Sequence, residues 1–161
     1  MIFVVQEHHA KRLHWDFRLE AGGVLKSWAV PRGPSLDPAQ RRLAVAVPDH
    51  ALAYADYEGR IPAGSYGAGP VLTWDRGEYE AADPADPEEG IARGRLVVRL
   101  KGRTLKGLFA LVRLAGPGRE GSWLLIKERD AEARPGWETP VRLTPARARR
   151  LREVPPPCGA G

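Results

Sequence analysis

Cysteine occurs once in the 161 residues, at Cys158, so no intramolecular disulfide can form and no cysteine set can hold a metal. Long apolar runs are also missing. No window approaches the ~20 consecutive apolar residues of a membrane-spanning helix, so no span and no membrane partner are expected. The opening Met1-Ile2-Phe3-Val4-Val5-Gln6-Glu7 has neither the basic start nor the small-residue cleavage site of a secretory signal. A cytoplasmic location is the simplest expectation. Lysine is scarce, 5 residues against 20 arginines, in a chain with 18 glycines and 15 prolines, a bias that a GC-rich genome produces. What is present suffices for a packed core. The composition is 43% hydrophobic, and the length suits one domain rather than two.

The net charge of +5 is unevenly placed. Residues 1–80 carry 9 Lys/Arg against 10 Asp/Glu, whereas residues 81–161 carry 16 against 10. Such asymmetry suits a polyanionic partner, because Lys and Arg gain affinity by displacing counterions from phosphates. The arginine bias of the composition would produce part of it without any partner.

Short β-like runs bounded by turn residues dominate the chain. Strands are expected at Phe3–Gln6, Leu13–Glu20, Val24–Val30, Leu43–Val47, Val71–Asp75, Arg95–Leu100, Gly107–Leu114 and Ser122–Glu128. Turn signals separate them at Gly22-Gly23, Pro31-Arg32-Gly33-Pro34, Asp75-Arg76-Gly77 and Gly116-Pro117-Gly118. Many short strands at this spacing predict a mainly β fold, a β-barrel or sandwich. Two short helices are expected, one opening at Asp86-Pro87-Glu88-Glu89 and one running from Thr144-Pro145 to about Glu153. The expected domain is residues 1–154, followed by a disordered tail, 155–161.

The most informative segment runs from His8 to Glu20. From Leu13 it alternates strictly: Leu13, Trp15, Phe17 and Leu19 take one face, and His14, Asp16, Arg18 and Glu20 the other. The first is an ordinary core face. The second sets an imidazole, a carboxylate and a guanidinium at ~7 Å intervals. A further imidazole from the preceding residues, His8 or His9, would complete two histidines and a carboxylate around one ion. That donor set suits a divalent metal and leaves positions open for water or substrate oxygen. Arg18 can hold an anion beside the metal through its planar fork of donors. A metal next to an arginine is what phosphate-ester cleavage needs.

Other features are less specific. Arg41-Arg42 opens an apolar strand that Pro48-Asp49-His50 closes, with Tyr54 shortly after. The run Gly59 to Gly69 reads as a tight β-connection rather than a phosphate loop, because no Lys-Ser/Thr pair follows. Arg95, Arg99, Lys101 and Arg103 share one strand parity, and Arg147, Arg149, Arg150 and Arg152 crowd the last helix. Each set is either a phosphate track or a solvated face.

With these residues assembled, the sequence resembles a known family. The run from Phe3 to Glu20 is similar to the opening of the 3′-phosphoesterase domain of bacterial DNA ligase D. So are Leu25–Ser35, Tyr54–Gly59, Ile61-Pro62, Tyr66–Gly69 and Trp123–Lys127. The resemblance covers about residues 2 to 130. It implies a closed antiparallel β-barrel with a few short helices, and a Mn2+-dependent hydrolase of bacterial or archaeal cytoplasm. Its substrates would be DNA or DNA–RNA 3′ ends in nonhomologous end joining. A terminal ribonucleoside would be removed as a phosphodiester, then the 3′-phosphate as a monoester. The metal ligands fall on His8, His14 and Asp16, which selects His8 over His9. Phosphate contacts fall on Arg18, Arg42 and His50, with Tyr54 and Arg32 at further functional positions. A DNA ligase and Ku-type proteins are the implied partners, and the chain is expected to be monomeric.

Three departures stand out. Pro48 occupies a position that is usually a functional Glu, Arg32 replaces a Lys, and the sequence begins at the barrel's first strand without the family's upstream arm. The chain is then a standalone member or an excised domain. The competing readings are a nucleic-acid-binding barrel that has lost catalysis and serves as an end-joining adaptor, and a phosphoesterase acting on RNA or small diesters.

Overall fold

The computed structural model describes residues 1–157. Its strands are β1 (Ile2–His9), β2 (Leu13–Ala21), β3 (Val24–Val30), β4 (Arg42–His50), β5 (Gly59–Ile61), β6 (Gly69–Asp83), β7 (Arg95–Gly102), β8 (Lys106–Arg113) and β9 (Ser122–Lys127). Every pairing between strands is antiparallel. The order β1-β2-β3-β4-β9-β8-β7-β6 closes on itself through β1–β6, so eight strands form a barrel and β5 adds to the start of β6. The expected barrel and all eight expected strands are present. Cys158 and the rest of 158–161, the end of the expected tail, lie outside the described residues.

One expected turn is instead strand. Asp75-Arg76-Gly77 lies inside β6, which runs 15 residues. The buried Asp75 carboxylate caps a different turn, accepting from the backbone N–H of Arg103, Thr104 and Leu105 at 2.9, 3.3 and 2.7 Å. At Gly77 a Cβ would meet the Lys101 carbonyl oxygen at 2.1 Å, so this glycine permits close strand approach rather than reversal.

Helix α1 (Pro87–Arg93) forms as expected, with the Asp86 carboxylate capping Glu88 N–H and Gly94 ending it at φ 87. Helix α2 (Pro145–Arg150) is capped by Thr144 but stops short of Glu153. Main-chain pairing takes over: Arg60 N–H donates to Arg152 O at 2.8 Å and Val154 N–H to Arg60 O at 3.1 Å. The β7 stripe is a solvated face on which Lys101 meets Glu80 and Arg95 meets Asp83. Arg103 lies beyond the end of β7, in the turn before β8.

The core has two parts. Phe3, Val5, Trp15, Phe17, Leu19 and Trp28 fill the barrel interior with residues from the other strands. Val4, Leu25, Tyr54, Ala55, Tyr57, Ile61 and Val71 form a second cluster outside it. β1 is therefore buried on both faces, which accounts for its unbroken apolar opening. The cover over its outer face includes a 3-10 turn, Leu52–Asp56, that no sequence signal announced.

Lys127 is fully buried near the end of β9. Its ammonium donates to Leu108 O at 3.1 Å, Glu128 O at 3.2 Å and Asp130 Oδ1 at 2.7 Å. Burial alone would push the Asp130 carboxyl up. The Leu108 N–H and the Lys127 ammonium outweigh it and hold the group below its ordinary value. Removing the carboxylate strands a buried cation, so Asp130→Ala is expected to cost about 3–5 kcal/mol in urea unfolding. The depressed carboxyl contributes its stability above the ordinary aspartate range and loses it as pH falls through the lowered value. The gap between wild type and variant therefore narrows in acid; a pH-independent gap would contradict the ion-pair account.

Candidate metal centre

The β1–β2 hairpin sets the site. Its register places His8 opposite His14, Gln6 opposite Asp16 and Val4 opposite Arg18, and these side chains share the outer face of the barrel. That face is not solvated: Asp16 is 5% and Arg18 2% exposed. The ligand atoms of His8, His14 and Asp16 all lie within 4.8 Å of one another. His9, one residue on, takes the opposite face and bonds Glu7 Oε2 at 2.6 Å, so geometry separates the two neighbouring histidines.

The imidazoles are oriented from behind. His8 Nε2 donates to Gly67 O at 2.6 Å, and His14 Nδ1 donates to Arg12 O at 3.1 Å; a carbonyl only accepts, which fixes each tautomer. His8 Nδ1 and His14 Nε2 are left facing Asp16, each at 3.3 Å. Two lone pairs aimed at a carboxylate repel unless a proton or a cation lies between them. The donor set, the carbonyl-held tautomers and the convergence all fit a divalent metal held by His8, His14 and Asp16.

Electrostatics favour an ionised Asp16. With a proton on the facing ring nitrogens, hydrogen bonds from His14 and His8 join the Arg18 charge in holding its carboxyl well below the usual carboxylate range, against the rise that burial alone would cause. His14 is pushed down by burial and up, on balance, by Asp16. Arg18 is fixed on every side. Its Nε donates to Gln6 Oε1 at 2.7 Å, Nη1 to Ser27 Oγ at 2.9 Å, and Nη2 lies 3.3 Å from Asp16. The Tyr54 ring lies beneath its Cζ at 4.7 Å.

These groups line one cleft of about 1070 Å³ that includes His8, His14, Asp16, Arg18, His50 and Tyr54. Arg42 and Arg32 do not line it. Arg42 shares strand parity with core residue Ala44, and its Nη1 donates to Arg32 O at 2.7 Å. Sequence reading missed Gln6 and Ser27, ordinary strand residues whose role is to hold Arg18. It also missed Gly67, where a Cβ would crowd His8 Cε1 at 3.1 Å. Pro156 and Pro157, placed in the expected tail, border the cleft.

A metal held here predicts a contrast between histidines. In calorimetric titration with a divalent transition metal, His14→Ala and Asp16→Ala are expected to abolish binding, whereas His9→Ala keeps it. Wild-type affinity in His14→Ala would remove the assignment.

Residues 6–113 match the family described as the DNA Ligase D 3'-phosphoesterase domain. The chain is 54% identical over 132 residues to the multifunctional non-homologous end joining protein LigD of Pseudomonas aeruginosa, matching 82% of this chain and 16% of that protein. It is 46% identical over 114 residues to the multifunctional non-homologous end joining DNA repair protein LigD of Mycobacterium tuberculosis, covering 71% of this chain and 15% of that one. With the LigD of Mycolicibacterium smegmatis the figures are 42% over 147 residues, 88% and 19%. The chain thus spans less than a fifth of the length of these relatives. An eight-stranded closed barrel, a histidine–histidine–aspartate cluster beside a buried arginine, and this degree of identity lead to one conclusion: the chain belongs to the DNA ligase D 3′-phosphoesterase domain family.

Proposed function

We propose that this domain hydrolyses phosphate esters at DNA 3′ ends during end joining, with Mn2+ held by His8, His14 and Asp16. The carrying observation is a buried, ionised Asp16 flanked by two imidazoles and by Arg18 in one open cleft. The metal, when bound, supplies Lewis acidity and an activated water; other divalent transition metals suit the same donors.

The protein's own groups supply the rest. Arg18, immobilised by Gln6 and Ser27, offers a preorganised positive charge to a phosphoryl oxygen. His50 is pushed down by burial and by the Arg18 charge, so its ring is neutral at neutral pH. An incoming phosphate offsets that charge and favours a proton on the ring, which lets His50 contact the phosphate or donate to the leaving oxygen. Burial raises the Tyr54 hydroxyl. Tyr54 therefore stays protonated, packed under Arg18 and edge-on to His50 with centroids 4.6 Å apart. Arg42 and Arg32 carry family-implied phosphate roles. Their place outside the cleft lining gives them a peripheral part in this reading.

In the full reading the substrate is a DNA or DNA–RNA 3′ end in a bacterial or archaeal cytoplasm, and the domain acts as a monomer alongside a DNA ligase and Ku-type proteins. An adaptor role without catalysis is the second reading, favoured by Pro48 in the cleft wall where the family carries a glutamate. A 5′-labelled primer-template ending in one ribonucleotide, incubated with Mn2+, separates the two. Cleavage supports the phosphoesterase; binding without cleavage supports the adaptor.

Arg18→Lys is expected to lose activity nearly as completely as Arg18→Ala, because a lysine cannot engage Gln6, Ser27 and a phosphate together. Retention of most of the wild-type rate would refute the clamp.

The two chemical steps are expected to be unequally preserved. A terminal monoester is more highly charged than a diester and needs fuller electrostatic accommodation, in surroundings altered at Pro48 and Arg32. DNA ending in 3′-phosphate should accumulate in a time course; smooth conversion to 3′-hydroxyl with no transient would show those alterations to be dispensable.

A further inference from the structure

A second cleft, of about 530 Å³, opens beside β6 and contains Arg76, Arg103 and Arg142. The Leu52–Asp56 turn stands between it and the metal centre. Tyr54 of that turn lines the first cleft, while the Ala55 carbonyl and the Asp56 carboxylate hold Arg76 Nη1 at 3.2 and 2.5 Å. The acids here are already committed. Asp56 pairs with Arg76, and Asp75 accepts four backbone N–H groups, from Arg76, Arg103, Thr104 and Leu105. Among the residues that line the cleft, three arginines face one carboxylate, that of Asp75.

The arginines are built in to different degrees. Arg142 Cζ stacks over the Trp74 ring at 4.9 Å, and its Nη2 donates to Thr104 Oγ1 at 2.8 Å. Its Nε is buried with no partner among the described residues. The backbone N–H of Arg142 and of Leu143 donate to the buried Glu7 carboxylate at 2.6 and 2.9 Å, which ties this segment to β1 one residue from His8. Arg103 projects from the Asp75-capped turn and has no side-chain partner among the described residues. Trp74 is 4% exposed, covered by Arg142 and by Trp137, so no base can stack on it. A site of guanidinium groups without a free aromatic face suits phosphate and is indifferent to base identity.

We propose that this second cleft binds the phosphodiester backbone of the nucleic-acid strand whose 3′ end occupies the first. The inference rests on the DNA 3′-end reading above and adds to it a contact upstream of the reacting terminus. β6, which forms one wall of the second cleft, lies two strand spacings from β2, roughly 10 Å, the least distance that a strand joining the two clefts has to cover. About three nucleotides cover that distance at ~3.4 Å of helix axis each. Arg103 and Arg142 then grip a phosphate that takes no part in the chemistry and hold the strand in register.

The test compares wild type, Arg103→Glu, Arg103→Lys and Arg142→Gln, each confirmed folded by thermal melting. Binding of a 5′-fluorescein primer-template is followed by anisotropy across a salt series, and hydrolysis is followed on that DNA and on bis(p-nitrophenyl) phosphate. Arg103→Glu is expected to weaken DNA binding severalfold at low salt, with the slope of log affinity against log salt reduced by about one. Arg142→Gln should weaken it in the same way, and Arg103→Lys should keep most of the affinity. Turnover of the small diester should not change, because it cannot span both clefts. Wild-type affinity and salt slope in Arg103→Glu overturn the proposal, as does an equal loss on the small diester. If the wild type hydrolyses no 3′ end yet Arg103→Glu still loses DNA binding, the second cleft stands and the phosphoesterase reading falls. If 3′ ends are hydrolysed while Arg103→Glu keeps its affinity, the reverse holds.

Discussion

An ionised carboxylate at 5% exposure is the constraint around which the rest of this molecule is arranged. Leaving water costs a carboxylate several kcal/mol unless charges and donors replace its hydration. Asp16 finds them in the two imidazoles and in Arg18, each 3.3 Å away. Each of those groups then has to be held in turn. Arg18 needs Gln6, Ser27 and Tyr54; His8 needs the Gly67 carbonyl; His14 needs the Arg12 carbonyl. A ring of ordinary residues is thereby drawn into the site.

The site lies outside the barrel, on the outer face of β1–β3, and this explains the elements that cover it. A barrel of eight strands encloses its own core and has no need of the Leu52–Asp56 turn or of β5. Those elements exist to cover the second cluster, in which Val4, Leu25 and Val71 would otherwise be wet. The segment after α2 completes the cover. It pairs with Arg60, accepts from the Tyr57 hydroxyl at Val154 O, and brings Pro156 and Pro157 to the cleft's edge. Site geometry and outer-face packing are one construction.

Much of this was legible in the sequence because it obeys a period of two. The alternation from Leu13 to Glu20 separates core from site, and β1–β2 pairing does the rest. Helix caps at Asp86 and Thr144 were equally local signals. What could not be read is tertiary. Asp75-Arg76-Gly77 has turn composition, yet its carboxylate caps a turn 28 residues away and its glycine admits a neighbouring strand. His8 and His9 could not be told apart by spacing, since a one-residue step at the end of β1 reverses the face. Lys127 closes a run that resembles the family, but its ammonium lies in a buried ion pair with Asp130 and does not line the cleft.

The parity of β4 decides what its polar residues can do. Val47 lines the cleft, and Arg42, five residues earlier in regular pairing, projects from the opposite face with Ala44. Regular alternation beyond Val47 would next bring Asp49 to the cleft. Instead the β3–β4 register shifts: Ser27 pairs with Val47, but Leu25 pairs with His50, so three steps on β4 match two on β3. That bulge turns His50 to the cleft and sends Asp49 to Lys26 at 2.9 Å. Pro48 sits within the bulge, where an unpaired residue loses no ladder hydrogen bond by lacking an N–H. Its carbonyl still serves the site, lying 2.9 Å from His50 Nδ1. Proline at this position is therefore compatible with the backbone geometry that delivers His50, and it sets no charged side chain in the cleft wall.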